Sequence, residues 1–174
     1  MRTVVSCVAA ISLVACRGGG GATAPIPAPP DAPTSTVLVV NATVQRVVDG
    51  DTVVAAVDGT IERVRLIGVN TPESVKPDTP VECFGHEASQ HTAELLPPGT
   101  VIHLERDLEP RDDYGRLLAY VFRATDGLFV NDDLVRLGYA RTLRIRPNVT
   151  YAAQLARSSQ RARDEGLGLW STCR

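Results

Sequence analysis

From Thr36 onward the chain alternates short valine-rich runs with turn residues, and this alternation restricts the fold more than any other feature. Thr52 to Val57 and Thr60 to Val69 flank Asp58-Gly59, a pair that accepts the positive φ angles of a two-residue hairpin turn. An earlier strand-like run, Val37 to Val48, is joined to them through Asp49-Gly50-Asp51. The period then changes. Glu87 to Leu96 carries Ala88, Thr92, Leu95 and Leu96 on one helical face, and Leu96-Pro97-Pro98-Gly99 ends it. Val101 to Glu105 and Leu117 to Arg123 return to the strand pattern. Asn131 is placed to N-cap a short helix through Leu137, stopped by Gly138, and Thr150 to cap a last helix that Gly166 terminates. The expectation is an α+β domain over residues 36–174 with five strands and three helices. Five short strands of this kind suit a small Greek-key barrel such as an OB-fold.

The preceding residues have a different composition. Arg2 and the apolar run Val4 to Ala15 are too short to span a bilayer, which takes about 20 apolar residues, and read as a signal peptide over residues 1–15. Leu13-Val14-Ala15-Cys16 resembles the lipobox of bacterial lipoproteins, in which the leader is cut before a cysteine that takes the lipid. The alternative is an ordinary secretory leader in which Cys16 is incidental. Residues 16–35 continue with four glycines and then alanine and proline, without apolar periodicity, so they form a tether and not a core. The expected location is outside the cytoplasm, with a monomeric domain held on a bacterial membrane, at the cell surface or in the periplasm, through a lipid anchor only.

Removing Cys7 with the leader and Cys16 to the lipid leaves Cys83 and Cys173. An even pair in an exported domain suggests a disulfide, and closing so long a loop stabilises by about 4 to 5 kcal/mol in the chain-entropy description. Two free thiols or a metal site are the alternatives. Neither cysteine sits in a C-x-x-C pair, and His86, His91 and His103 lack zinc-type spacing with them.

The formal net charge is −2, which excludes capture of a polyanion by a strongly basic whole-molecule field. Affinity for nucleic acid must come from a local arrangement of arginines. Basic residues are nearly all arginine, Lys76 being the one lysine, a bias that suits paired hydrogen bonds to phosphate but that a GC-rich genome also produces.

Three segments interrupt the strand pattern with polar residues: Asp49-Gly50-Asp51-Thr52, Arg65 through Asn70-Thr71-Pro72-Glu73, and Asp112-Asp113-Tyr114-Gly115-Arg116. Each alone reads as a turn or a loop. In this order, with Phe84-Gly85-x-Glu87-Ala88-Ser89, Val130-Asn131-x-x-Leu134-Val135-Arg136-x-Gly138 and Gly168-Leu169-Trp170-Ser171, they closely resemble the staphylococcal nuclease family from about Thr36 to Cys173. The resemblance implies a five-stranded OB barrel with three helices and calcium-dependent cleavage of DNA and RNA, leaving 3′-phosphate ends.

It also implies roles that the chemistry supports. A phosphodiester under attack gathers negative charge on its equatorial oxygens, and cations placed there lower the barrier. Arg65 and Arg116 take that role. Glu73 corresponds to the family's proposed general base, activating or orienting the attacking water. Asp51, Asn70 and the carbonyl of Thr71 would hold calcium, a hard cation that prefers oxygen ligands. Tyr114 would pack against or hydrogen-bond the substrate phosphate.

Two departures stand out. Asn70 replaces an aspartate of the best-known member and removes one negative charge, which predicts weaker calcium binding. Leu143-Arg144-Ile145-Arg146 stands where that member places tyrosines lining the nucleotide pocket. The competing functional reading is an OB module that binds nucleic acid without chemistry, but such a module would be free to lose Asp51, Arg65, Glu73 and Arg116. His86 and His91 are expected on an exposed helix face, and Trp170 packed at the domain end. Asp107, Glu109, Asp112 and Asp113 are expected in a solvated acidic loop. The sequons at Asn41 and Asn148 are expected to be unmodified in a bacterial-type lipoprotein.

Overall fold

Asp58 and Gly59 take φ angles of 49° and 81°, the backbone of a hairpin turn matched to strand twist, and the hairpin they close forms part of a barrel wall. The computed structural model describes residues 38–75 and 79–173; the expected leader, Cys16 and the whole tether over residues 16–35 lie outside the described residues. The elements in order are β1 (Ala42–Asp49), β2 (Thr52–Val57), β3 (Thr60–Leu66), β4 (Val69–Asn70), α1 (Gly85–Leu95), β5 (Val101–Glu105), β6 (Leu117–Arg123), α2 (Val130–Arg136), β7 (Arg141–Thr142), α3 (Ala152–Asp164) and α4 (Leu169–Thr172). Five strands close a barrel in the order β1-β2-β3-β6-β5, and β4 and β7 form a separate ribbon. The α+β, OB-type barrel is therefore present, with a two-stranded ribbon and a fourth, one-turn helix added to the expected set.

The barrel closes because alternate residues of each strand are apolar and have no other place to go. Val44, Val53, Val64, Leu66, Ile102, Leu117 and Val121 meet in its interior, each at most 2% exposed, and Leu134 of the helix over Val130–Arg136 joins the same core. Burial of each such side chain is worth roughly 1.5 to 3 kcal/mol. All neighbouring barrel strands run antiparallel except β3 and β6, which are parallel and pair Arg65 with Leu118.

The expected strand Thr60 to Val69 is broken. Gly68 takes φ 80°, and a Cβ on it would lie 2.5 Å from Leu155 Cδ1 of α3. The positive φ favours glycine here, and the chain leaves the barrel to pair Val69 and Asn70 with β7. The first strand also starts later than its valine pattern implies: Val39 and Val40 precede β1 and are exposed.

Buried amides account for further differences. Asn131 is not an N-cap; Phe129 holds that position. Asn131 is fully buried, accepts from the Val121 amide at 2.9 Å and donates to the Ile67 carbonyl at 2.8 Å. It clamps α2 to two parts of the barrel. Asn41 binds both main-chain groups of Leu104, and Asn148 does the same with Glu109, so both sequon amides serve the fold. Thr150 does not cap α3, whose N-cap is Tyr151; its amide donates to Asp107.

Cys83 and Cys173 form a disulfide across 90 positions of sequence. His86 is exposed, but His91 is not. Its Nε2 lies 2.9 Å from Asp133, and its ring stacks on Tyr139 with centroids 4.0 Å apart. Trp170 packs near the C-terminus under the guanidinium groups of Arg141 and Arg163.

Candidate active site

The turn between β1 and β2, the end of β3, the segment after β4 and the turn before β6 converge on one side of the barrel. Asp51, Arg65, Asn70, Thr71, Glu73 and Arg116, drawn from four segments of the chain, line one polar cleft of about 210 Å³, completed by Asp49 and Pro72. Two features of the fold bring them together. The β2–β3 register sets Thr52 opposite Arg65, and the parallel β3–β6 pairing draws the turn bearing Arg116 towards the end of β3.

Asp51 is the organising group. It is buried, and its Oδ2 accepts from Thr71 N at 3.0 Å and pairs with Arg65 Nη2 at 3.0 Å. Its Oδ1 accepts from the Thr52 hydroxyl at 3.1 Å. Arg65 is held at three points, since Nη1 also donates to the Leu66 carbonyl at 2.8 Å and Nη2 to Asn70 Oδ1 at 3.4 Å. Burial pulls the Arg65 guanidinium below its ordinary pKa, the charge of Arg116 adds to this, and Asp51 opposes it. That coupling is the electrostatic mark of two cations facing one space. Asp49 is pushed up to about 6 by burial and by the neighbouring Asp51 carboxylate.

Arg116 is mounted differently. Its Nε donates to Asp112 Oδ2 at 2.7 Å and its amide to Asp112 Oδ1 at 2.9 Å, while Tyr114 N donates to the same Oδ1 at 3.0 Å. Burial raises the Asp112 pKa, but the hydrogen bonds from Arg116 outweigh it and hold the carboxyl below its usual range. The acidic loop is thus only partly solvated. Asp112 ties down the turn that carries Arg116, and Asp107 accepts from the hydroxyl of Tyr120 and the amide of Thr150. Glu109 and Asp113 are the exposed members. The Arg116 guanidinium carbon lies 5.4 Å from the centre of the Tyr114 ring, so the aromatic face covers one side of the cation.

Glu73 Oε1 accepts from the amides of Ser74 and Val75, both at 2.9 Å, which turns the carboxylate back over its own loop at the cleft wall. Tyr114 is 85% exposed and does not line the polar cleft. It lines the adjoining one, of about 360 Å³, with Leu143 and Ile145. Arg65 and Arg116 line both.

Among the described residues no three His, Cys, Asp or Glu side chains are grouped to hold a metal ion. A cation here would therefore need amide and main-chain oxygens as well as carboxylates, the donor set that Asp51, Asn70 and Thr71 offer and that hard cations prefer. Sequence reasoning missed Asp112 and Asp49 as parts of this site. The four-residue spacing of Asp112 and Arg116 was the available signal for the first.

Residues 63–172 match the family model described as staphylococcal nuclease homologue. The chain is 46% identical over 127 residues to a thermonuclease of Staphylococcus intermedius, covering 73% of this chain and 74% of that protein. It is 40% identical over 126 residues to a thermonuclease of Staphylococcus hyicus, covering 72% and 73%. It is also 39% identical over 135 residues to the endonuclease YncB of Bacillus subtilis (strain 168), covering 76% of this chain and 63% of that protein.

Proposed function

The chain belongs to the staphylococcal nuclease family, and from that premise we propose that it hydrolyses phosphodiester bonds of DNA and RNA at the Arg65–Arg116 cleft, with calcium as cofactor and 3′-phosphate ends as product. The observation that carries this reading is the pair of arginines on one cleft with Asp51 and Glu73. A scissile phosphate between the arginines receives hydrogen bonds on its non-bridging oxygens, which strengthen as charge builds there in the transition state. Glu73 orients a water molecule towards phosphorus. The water oxygen bonds to phosphorus as the bond to the 5′ oxygen breaks, and the two water protons end on the departing 5′ oxygen and the solvent or phosphate, leaving a 3′-phosphate and a 5′-hydroxyl.

The residues fit calcium as far as ligand chemistry goes. Asp51, Asn70 and the Thr71 carbonyl would hold the ion, and when bound it would add positive charge beside the phosphate. Arg65 is pre-set by Asp51 and the Leu66 carbonyl, so its orientation costs no reorganisation when substrate arrives.

The deciding experiment incubates the protein with single-stranded DNA in calcium, in chelator, and as Arg116→Ala in calcium. Cleavage only in the first, with 3′-phosphate ends, supports the reading. Equal cleavage in all three, or binding without cleavage in any, overturns it. The proposal extends to export and lipid anchoring of a monomeric domain through Cys16, on the strength of Leu13-Val14-Ala15-Cys16 and the tether. Cys16→Ser is expected to move the protein from the membrane fraction to the soluble fraction.

A further inference from the structure

Glu73 is held at the cleft by a strap whose far end is covalent. Its amide donates to Glu82 Oε2 at 3.1 Å, and its carbonyl accepts from the Glu82 amide at 2.9 Å. Both main-chain groups of one residue are therefore bound by one partner nine positions on. The Glu82 carbonyl accepts in turn from Gly85 N at 2.9 Å, at the start of α1. Gly85 lies so near that a Cβ there would stand 2.5 Å from the Glu73 carbonyl oxygen, so the strap closes tightly only with glycine at this position.

Cys83, next to Glu82, is bonded to Cys173 at the end of α4. That helix is itself anchored, with Leu169 buried and its amide donating to the Gly138 carbonyl at 2.9 Å. Glu82 is thus fixed from two sides, by the start of α1 and by the C-terminal helix. Cys83 is exposed and Cys173 half-buried.

We propose that Glu82 is a positioning residue for Glu73 and that the Cys83–Cys173 disulfide keeps it in place, so that turnover depends on the oxidised protein. The proposal rests on the nuclease reading. Displacement of a reacting group by about 1 Å can cost on the order of 100-fold in rate, and freeing the strap acts through Glu73 on turnover, not on substrate affinity. An external dithiol passes two electrons and two protons to the Cys83–Cys173 bond, giving two thiols, and is itself oxidised to a disulfide.

The test compares kcat, KM, melting temperature and the exchange rate of the Glu73 amide for the full chain, Glu82→Ala, Glu82→Gln, and Cys83→Ser/Cys173→Ser with and without Glu82→Ala. Glu82→Ala is expected to lower kcat about 10-fold to 100-fold with KM unchanged and to speed Glu73 amide exchange. Glu82→Gln keeps an acceptor oxygen and is expected to restore both. The double serine variant and dithiol-treated wild type are expected to lose kcat while still folded, and Glu82→Ala is expected to add little in that background, because both act through one strap.

Wild-type kcat in Glu82→Ala, equal losses in the alanine and glutamine variants, or losses that multiply in the combined variant would each overturn the proposal. A wild type that does not cleave would defeat the nuclease reading instead. Amide exchange then still decides whether Glu82 holds Glu73: faster exchange in Glu82→Ala upholds the strap, and unchanged exchange overturns it.

Discussion

The two clefts that share Arg65 and Arg116 are built in opposite ways. In the polar cleft each charged group is restrained by the protein. Asp51 is 7% exposed, Arg65 is bound at three points, and Asp112 holds Arg116 by its Nε. The adjoining cleft adds exposed side chains to that wall: Tyr114 is 85% exposed and Ile145 60%. Chemistry demands placement within a fraction of an ångström, because a preorganised donor acts only where charge develops. Contact with a substrate's apolar parts tolerates movement. The comparison implies that changes on the polar side alter turnover, and changes on the other side alter substrate affinity.

The strongest way to break that comparison is Arg116→Ala. Turnover on single-stranded DNA is expected to fall roughly 10²-fold to 10³-fold, with the melting temperature nearly unchanged because the side chain is half-buried at a turn. A change confined to KM would reverse the assignment of the two clefts. Next in size is Asn70→Asp. The added charge beside Asp51 is expected to tighten calcium about tenfold, as expected of one extra carboxylate a few ångströms from a divalent ion in a hydrated cleft; calorimetry with calcium alone measures it. Unchanged affinity would remove Asn70 from the ligand set.

On the opposite side, Leu143→Tyr and Ile145→Tyr are expected to lower KM for single-stranded DNA several-fold, since base stacking on an aromatic ring contributes about 1 kcal/mol or more, with kcat unchanged. A change in kcat instead would show that this cleft also positions the reacting phosphate.

The smallest effect concerns the fold beneath both clefts. Burial raises the pKa of Asp133, but hydrogen bonds from His91 and Arg136 outweigh it and leave the carboxyl below its usual range. A folded-state pKa below the unfolded value of about 3.9 gives stability that is complete above that value and is lost as pH falls through the lower one. Thermal melts below about pH 4 are expected to fall less steeply for Asp133→Asn than for the wild type.

Much of this was readable in one dimension. Asp58-Gly59 marks its hairpin because φ is positive at both positions. The helix over Gly85–Leu95 follows from apolar spacing and its Pro-Pro-Gly stop, and the pairing of Cys83 with Cys173 follows from their being the two cysteines within residues 36–174. The polar segments that line the cleft each read alone as a turn or a loop; it was their order, and the resemblance to the staphylococcal nuclease family that it carries, that singled out Asp51, Arg65, Asn70, Thr71, Glu73 and Arg116. Asn131 was misjudged because the signal for an N-cap, a short amide before a helical pattern, is identical to that for a buried clamp. His91 was misjudged because the periodicity of α1 shows which face is polar, but not that Asp133 and Tyr139 come to meet it.

The division has a physical cause. Alternation, turn residues and helix stops act between neighbours in the chain, so the sequence by itself determined the five barrel strands, most helices, the hairpin and the kinds of groups available for chemistry. The pairing of β3 with β6 and the break at Gly68 belong to the tertiary structure, as do the grip of Asp112 on Arg116 and of Glu82 on Glu73. They depend on which surfaces meet when the barrel closes, and a polar side chain takes its role from a partner that only closure brings within hydrogen-bonding distance.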